Sequence, residues 1–496
     1  MSTPSRSDLA CLLLAAVFAA STGAWLALDR LPPNWDDAWY LTNSLVMYDA
    51  LTDGGLLGFA KRFLSILGFK APLITVLPAP IFLVLGRRWH AAYLVNVAAI
   101  PIQCGAVWAI GKHLWSARTG LIAVYVAGTM PLLYGLSRWY LVEYPLTATV
   151  AVAIWLLLAS HDLEDRRPVV LFGITCGFGL LLKVSFPLFV ALPFAHALWR
   201  SRRRAKALLT AAVPCLLLAL PWYLVNGRRT LRNAIEAGYG DSAIVQGADA
   251  LLYLRRIVHE GISVYYVAAA LLAAIVIAVR KPRSLAPLTP VLLWAAPFVV
   301  FLLGGNKDIR YVAPLLPAFA LALGFLLDTV LGRLNWLLPV ILAFPLASML
   351  MVSFGRSAAV GYARPYDPVD WPQQAILQTI CDSPVFKPGE KKLLLIGTDR
   401  GSFNVNNFEL AVVRERLPLT VDTTAYEKDL GALLRTVDVS SFFVYKEGGE
   451  PESTFFNQHF AEIVDHVRQS GLFQELSPSR KLPDGGTAHI FRRVTR

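Results

Sequence analysis

Two adjacent carboxylates, Asp36 and Asp37, follow the first long apolar run of the chain, in the segment Leu31-Pro-Pro-Asn-Trp-Asp-Asp-Ala-Trp-Tyr40. Carboxylates in lipid are costly, so at the end of a membrane-spanning helix we expect them at the water interface. There they can serve a chemical site, as a general base, or an ion site. Neighbouring residues point in different directions, so the pair is not expected to act as one symmetric dyad. The alternative is that one Asp caps a helix over about 37–50.

Other residues able to do chemistry stand at the ends of later apolar runs. They are Lys70, Arg138, Tyr140, Glu143, Lys183, Arg310 and Tyr311. Cations gathered on one face predict an anionic ligand there, and the phosphate of a lipid carrier is the natural candidate. The alternatives are a snorkelling interface role for Lys70 and a local ion pair between Arg138 and Glu143.

Metal binding has weaker support in the sequence. The eight histidines form no His-Glu-x-x-His motif or other ligand spacing, which argues against a dedicated zinc site. A divalent cation bound by Asp37 and Glu143 is the alternative use of these carboxylates. No cofactor is assigned.

The elements that position these residues are membrane helices. The chain is 56% hydrophobic and 16% charged, whereas soluble domains carry about 25% charged residues. The net charge of +12 gives no reason to expect nucleic acid, because arginines cluster in short loops such as Arg202-Arg203-Arg204. The five cysteines form no disulfide framework.

Apolar runs predict about eleven spans. They lie at 9–28, 90–110, 119–136, 145–160, 169–182, 186–199, 207–225, 262–279, 286–303, 311–328 and 336–353. The run 71–86 is interrupted by Pro72, Pro78 and Pro80, so we expect it to lie along the interface or re-enter. The positive-inside rule then places the N-terminus in the cytoplasm, and the acids and lysines on the periplasmic face. The transmembrane domain is predicted at 1–355, with a catalytic outer loop at about 29–89.

From about residue 356 the composition is that of a soluble domain. Apolar strands at 392–397, 440–446 and 487–493 alternate with helical patterns at 372–382, 405–416 and 455–470. This order predicts a small α/β domain over 356–496 with a partly parallel sheet. It has no Gly-x-Gly-x-x-Gly or Walker loop, so no nucleotide is assigned.

Together these motifs resemble the GT-C superfamily of glycosyltransferases, closest to its protein O-mannosyltransferase and lipid A aminoarabinose transferase branches. The resemblance rests on the acidic pair, the Lys-x-Pro-Leu element at Lys70, the arginine-and-acid segment 138–143 and the Arg-Tyr-x-x-Pro-Leu-Leu-Pro run from Arg310. It implies transfer of a sugar from a polyprenyl-phosphate carrier to an acceptor hydroxyl. It also implies that Asp36 or Asp37 is the general base and that Glu143 is the second acid.

By the same resemblance, Lys70 and Arg310 contact the donor phosphate, and Lys183 is a weaker match. The family's first motif is commonly Asp-Glu, where this chain has Asp-Asp, and its second acid is commonly Asp, where this chain has Glu. We therefore expect a glycosyltransferase of the bacterial inner membrane, acting by inversion on a lipid, glycan or protein acceptor. The alternative is a transporter or flippase of a lipid-linked substrate. It is disfavoured because the predicted span centres are almost free of ionisable residues.

Overall fold

The computed structural model describes residues 5–239, 250–280, 288–332, 336–383, 390–449, 452, 457–476 and 478–494. Its contacts divide the chain into two units. We call Met1–Ala27, Asp53–Pro78 and Tyr93–Pro365 the membrane unit. We call Leu28–Thr52, Ala79–Ala92 and Tyr366–Arg496 the α/β unit. The predicted division into 1–355 and 356–496 stays a prediction.

The membrane unit is helical in every regular element that the structure describes. The first four helices of the chain are α1 (Arg6–Leu28), α2 (Trp35–Ser65), α3 (Leu73–Val76) and α4 (Ala79–Leu85). Of these, α4 and the first half of α2 belong to the α/β unit. The remaining helices of the membrane unit are α5 (Leu94–Leu114), α6 (Ala117–Thr129), α7 (Pro131–Leu136), α8 (Glu143–Ala159), α9 (Arg166–Leu182), α10 (Phe186–Arg200), α11 (Arg204–Tyr239), α12 (Ala250–Arg256), α13 (Val264–Arg280), α14 (Thr289–Ala295), α15 (Phe298–Leu303), α16 (Leu316–Leu331) and α17 (Leu337–Phe354). A π-helix, Ile257–Ile262, precedes α13, and a 3₁₀ helix, Ile309–Leu315, precedes α16.

Within the described residues, five helices are long and apolar enough to cross a membrane, and a sixth span results if one bent pair is counted as a single span. The five are Arg6–Leu28, Trp89–Leu114, Arg204–Glu236, Ile309–Leu331 and Leu337–Phe354. The bent pair is Ala250–Ile262 with Val264–Val279. Two other predicted spans, 145–160 and 286–303, correspond to the shorter apolar helices Glu143–Ala159 and Thr289–Leu303. Residues 286 and 287 lie outside the described residues. The count of eleven stays a prediction.

The proline-containing run 71–86 forms two short helices, α3 and α4, of 4 and 7 residues. At 1.5 Å per residue, neither is long enough to cross a hydrocarbon core of about 30 Å.

Small residues let the helices of the membrane unit approach closely. A Cβ added at Gly111 on α5 would lie 2.5 Å from the Cα of Gly120 on α6. Backbones that touch in this way are typical of helix packing in membranes, where apolar association is driven by close van der Waals contact. This contact holds the C-terminal end of α5 against the first turn of α6.

Helix α2 begins in the α/β unit and ends in the membrane unit. Gly55 breaks it, with φ of 61° and ψ of −160°, a backbone conformation that only glycine adopts readily. The break separates the half that carries Asp36 and Asp37 from the half that carries Arg62.

The α/β unit contains a six-stranded sheet between two layers of helices. Its strands are β1 (Lys392–Ile396), β2 (Leu419–Thr423), β3 (Phe442–Glu447), β4 (Phe473–Glu475), β5 (Arg480–Lys481) and β6 (Thr487–Arg493). The order is β2-β1-β3-β6-β4, with β5 also paired to β6, and β2, β1 and β3 are parallel. Helices α18 (Gln373–Cys381) and α19 (Val405–Glu415) pack on one face, and α20 (Leu430–Val439) and α21 (Phe460–Gln469) on the other.

The sequence predicted three of these strands and three of these helices, but it missed β2, β4, β5 and α20. Residues 455 and 456 of the predicted helix 455–470 lie outside the described residues, and α21 begins at Phe460. The partly parallel sheet agrees with the predicted α/β architecture.

Candidate functional site

A buried ion-pair cluster joins three of the predicted site residues in the membrane unit. Glu143 is the first residue of α8, and its side chain is only 3% exposed. Its Oε1 atom lies 2.6 Å from the Nζ atom of Lys183, at the end of α9, and 3.9 Å from the Nε atom of Arg310. Lys183 and Arg310 follow Glu143 by 40 and 167 residues in the sequence. They meet it because α9 and the 3₁₀ helix Ile309–Leu315 both pack against α8.

Local backbone geometry holds Arg310 in this cluster. Asp308 caps the 3₁₀ helix by accepting a hydrogen bond from the Arg310 backbone N–H, at 3.0 Å. The Asp308 carboxylate also lies 3.0 Å from Arg310 Nε and accepts hydrogen bonds from the Tyr362 hydroxyl at 2.9 and 3.0 Å. Asp308 and Tyr362 were missed as site residues. A signal for Asp308 was present, since it stands two residues before Arg310 in a segment that predicts a cap.

An aromatic ring lies against both cations. The Lys183 Nζ atom is 4.1 Å from the centroid of the Tyr311 ring, and the Arg310 guanidinium carbon is 5.4 Å from it. The contact favours positive charge at this point. The cluster thus contains two cations, two carboxylates and one aromatic face, and Lys183, at 23% exposed, is its most accessible cation.

One carboxylate oxygen in the cluster is unsatisfied. Glu143 Oε2 is buried and makes no hydrogen bond within the part of the chain that the structure describes. A buried polar atom without a partner costs free energy, and in native proteins such an atom often marks a place where a ligand or water binds. This geometry suits a polar ligand that carries both a hydroxyl group and an anionic group.

Arg138 and Tyr140 lie in other surroundings. Arg138 is 3% exposed, donates to Ser353 Oγ at 2.8 Å, and stacks near the rings of Trp25 and Tyr134. Glu143 pairs with Lys183 and not with Arg138, so the local Arg138–Glu143 ion pair considered from the sequence is not formed. The hydroxyl of Tyr140, a fully buried residue, donates to the carbonyl of Ile74.

Lys70 is half-buried in the membrane unit, after a tight turn. Leu67 and Gly68 have positive φ angles of 63° and 43°, and the Lys70 Nζ atom lies 5.9 Å from the centroid of the Phe69 ring.

Asp36 and Asp37 lie in the first turn of α2, in the α/β unit. The helix begins at Trp35, and the Asn34 carbonyl accepts from Ala38 N–H, so Asn34 is the N-cap residue. The alternative that one Asp caps a helix over about 37–50 is therefore wrong. Both carboxylates are stabilised by the N-terminal end of the helix dipole. Asp37 is 5% exposed and Asp36 is half-buried.

The α/β unit has a polar cluster of its own, at the start of α2. The Trp35 indole donates to Asp399 Oδ1 at 2.7 Å, and the Tyr426 hydroxyl donates to Asp399 Oδ2 at 2.8 Å. Burial, followed by the charges of Asp399 and Asp36, raises the pKa of Tyr426. Tyr426 is therefore a neutral hydroxyl near Asp36. Neither Asp399 nor Tyr426 was identified from the sequence, since both follow strands in a region with no recognisable motif.

Among the residues that the structure describes, no three His, Cys, Asp or Glu side chains are grouped so that they could hold a metal ion. All five cysteines are free.

Comparisons with known proteins agree with this architecture. Residues 70–224 match the family model described as dolichyl-phosphate-mannose-protein mannosyltransferase. The matched segment contains Lys70, Arg138, Tyr140, Glu143 and Lys183, and Arg310 lies outside it. The comparison with curated protein sequences found no match.

Two solved structures show how far the fold is shared. ArnT from Cupriavidus metallidurans bound to undecaprenyl phosphate is similar with a TM-score of 0.62 and 12% identity, over 97% of this chain and 97% of that chain. The archaeal oligosaccharyltransferase AglB from Archaeoglobus fulgidus, in complex with an inhibitory peptide and a dolichol-phosphate, has a TM-score of 0.51 and 11% identity, over 88% of this chain and 69% of that chain. These matches confirm the predicted resemblance: the chain is a multi-pass membrane protein with the GT-C fold of membrane glycosyltransferases.

Proposed function

We propose that this protein is a glycosyltransferase that moves a sugar from a polyprenyl-phosphate carrier to an acceptor hydroxyl on the periplasmic face of the bacterial inner membrane. The observation that carries the proposal is the convergence of Lys183 and Arg310 on Glu143, where two partly buried cations share one oxygen of a buried carboxylate. Undecaprenyl phosphate and dolichol-phosphate are bound to the structurally similar proteins described above. Both are lipids with an anionic phosphate head.

The donor phosphate is assigned to the two cations of the membrane unit. When the bond between the anomeric carbon and the phosphate oxygen breaks, the electron pair stays on that oxygen and the phosphate gains negative charge. Lys183 and Arg310 would stabilise this charge in a site of low dielectric constant, and the leaving group then needs no general acid. Lys70 is proposed as a further phosphate contact. Arg138, Tyr140 and Tyr311 are proposed to shape the donor site.

Glu143 would act on the sugar through its unsatisfied oxygen. Oε1 holds Lys183, which leaves the buried Oε2 atom to accept a hydrogen bond from a sugar hydroxyl. Such a bond strengthens as positive charge develops on the sugar ring. This is the role proposed for the second acid.

The acceptor hydroxyl needs a base, and we assign that role to Asp36 or Asp37. The hydroxyl oxygen forms the new bond to the anomeric carbon while its proton passes to the carboxylate. Attack opposite the departing phosphate is a single displacement, so the anomeric configuration inverts. The alternative proposed from the sequence is a divalent cation bound by Asp37 and Glu143.

The topology proposed for this chemistry has about eleven spans, a cytoplasmic N-terminus and a periplasmic α/β unit. Its support is the concentration of cations in the loops predicted to face the cytoplasm. Lipid, glycan and protein acceptors all offer the required hydroxyl group.

The test is transfer from a panel of synthetic polyprenyl-phosphate sugars by purified wild type, Asp36→Asn and Asp37→Asn. We expect wild type to consume at least one donor and one Asn variant to lose about 10²- to 10⁴-fold in rate, the usual contribution of a general base. Asp53→Asn, a carboxylate later on the same helix, is the matched control and should keep full activity. Equal activity in all three variants would refute the assignment of the base. No turnover of any donor would refute the proposed activity.

A further inference from the structure

A cavity of the membrane unit, of about 510 Å³, lies at the end of α8 remote from Glu143. Sixteen residue steps of α8, or ~24 Å, separate the two ends of the helix. Aliphatic side chains of α8, α10 and α14 form one wall of the cavity. The polar part of the lining consists of His113, His161, Asp162, His196 and Arg200, with Thr289. Apolar pockets of this volume with a few polar groups are typical ligand sites.

Exposed side chains next to the cavity indicate its depth in the membrane. Trp199 is 75% exposed, beside Arg200 at the end of α10. Leu192 on α10 and Leu292 on α14 are 45% and 62% exposed, as expected of helix faces that meet lipid chains. Tryptophan is enriched where a membrane helix meets the headgroups. The polar rim of the cavity therefore lies at headgroup level, and its apolar wall continues onto a lipid-facing surface.

The rim offers hydrogen-bond donors to an anion. The Arg200 Nε atom lies 2.9 Å from Asp162 Oδ2. Its two Nη groups, like the rings of His113 and His196, make no hydrogen bond to any residue that the structure describes. His196 and Arg200 are four residues apart on α10 and so share one face of the helix. The adjoining loops 160–167 and 200–206 carry seven Lys and Arg residues against three carboxylates.

The loop at this rim has an unusual backbone. His161, Asp162 and Leu163 have consecutive positive φ angles of 49°, 58° and 65°. Ser160 Oγ accepts from the Leu163 N–H at 3.1 Å, and the Leu163 side chain is 4% exposed, which holds the turn in place. Left-handed backbone at non-glycine residues is costly and clusters at ligand sites. Here it presents His161 and Asp162 to the cavity.

We infer that this cavity binds an anionic phospholipid of the leaflet on that face, with the phosphate at Arg200 and His196 and the acyl chains along α10 and α14. Basic pockets between membrane helices are known to accept such headgroups. The site is separate from the proposed catalytic site and does not depend on the proposed activity.

The experiment measures lipid binding by native mass spectrometry of the purified, delipidated full-length protein, titrated with phosphatidylglycerol or phosphatidylcholine. Two variants change the cavity: Arg200→Ala removes the phosphate partner, and Ala197→Phe fills the space without changing charge. Arg203→Ala is the matched control, because it removes one cation of the adjoining loop that does not line the cavity. Thermal unfolding of each variant verifies the fold.

We expect wild type to bind phosphatidylglycerol in preference to phosphatidylcholine. Arg200→Ala and Ala197→Phe should each weaken this binding by about tenfold or more, the value of one charge-assisted contact. Arg203→Ala should change it less than twofold. Equal losses in Arg200→Ala and Arg203→Ala, with none in Ala197→Phe, would show diffuse surface attraction and overturn the site. Undiminished binding in both cavity variants would overturn it as well.

Discussion

Replacing Lys183 with Met tests the donor site, because it removes the ammonium group while keeping an apolar stem of similar length. The Glu143 carboxylate, 3% exposed, then loses a partner at 2.6 Å and keeps only Arg310 at 3.9 Å. Removal of one partner from a fully buried ion pair costs about 3–5 kcal/mol. Because Lys183 is 23% exposed and Arg310 remains, we expect about 2 kcal/mol of lost stability.

The same change should reduce catalysis through a different interaction. Loss of one charge-assisted contact to the donor phosphate is worth about 1.5–3 kcal/mol, or about 10- to 150-fold in kcat/KM. The assays are glycosyl transfer from a polyprenyl-phosphate sugar and thermal unfolding in detergent. Both are measured on the same preparation.

The double variant Lys183→Met with Glu143→Gln separates the two effects. Glutamine at position 143 removes the buried charge that Lys183 compensates, so the double variant should regain most of the lost stability. Its transfer rate should stay well below that of Glu143→Gln alone, since the phosphate contact is still missing. If the double variant transfers as fast as Glu143→Gln, Lys183 serves only to neutralise Glu143, and the assignment to the donor phosphate is refuted.

Three further predictions concern stability and are checked by thermal or chemical unfolding. Tyr362→Phe removes the hydroxyl that donates to both oxygens of Asp308 and should cost about 0.5–1.5 kcal/mol; an unchanged midpoint would show that water replaces it. Burial raises the pKa of Glu409, so the folded state binds more protons and stability falls as pH rises from about 4.3 through the raised pKa. Glu409→Gln should therefore be more stable than wild type at pH 7 but not below pH 4, and a gain that persists there would contradict this. Gly111→Ala should destabilise the protein by about 1–3 kcal/mol through overpacking, whereas Gly105→Ala on the same helix, with open space, should not; equal effects would argue against the close contact.

The sequence singled out the charged residues that form the buried cluster, but it did not predict which of them pair. Glu143, Lys183 and Arg310 could be identified because each is a charge at the end of an apolar run, where lipid makes an uncompensated charge costly. The pairing of Glu143 could not be predicted. Arg138 is five residues away and Lys183 is 40 residues away, so sequence distance favoured Arg138. Packing of α8 against α9 decided the outcome, and the sequence pattern does not determine that packing.

The missed elements have similar physical causes. Strand β2 reads Leu-Thr-Val-Asp-Thr and is an edge strand, so it lacks the continuous apolar run that identified β1 and β3. Asp308 and Tyr362 were missed as members of the cluster because Asp308 holds Arg310 from a cap, and Tyr362 holds Asp308 from a distant linker. The family resemblance gives roles to single positions, but these supporting contacts depend on the three-dimensional path of the chain.

The charge balance of the cluster has a consequence for the proposed reaction. Lys183 and Arg310 are balanced by Glu143 and Asp308, so the site is close to neutral before the donor enters. The donor phosphodiester carries one negative charge, and the departing phosphate carries nearly two. Because that charge grows as the glycosidic bond breaks, fixed cations stabilise the transition state more than the bound donor. The two carboxylates limit the attraction of the donor in the ground state while they hold the cations in position. A site of two unpaired cations would bind the donor more tightly, and it would gain less in rate from the same charges.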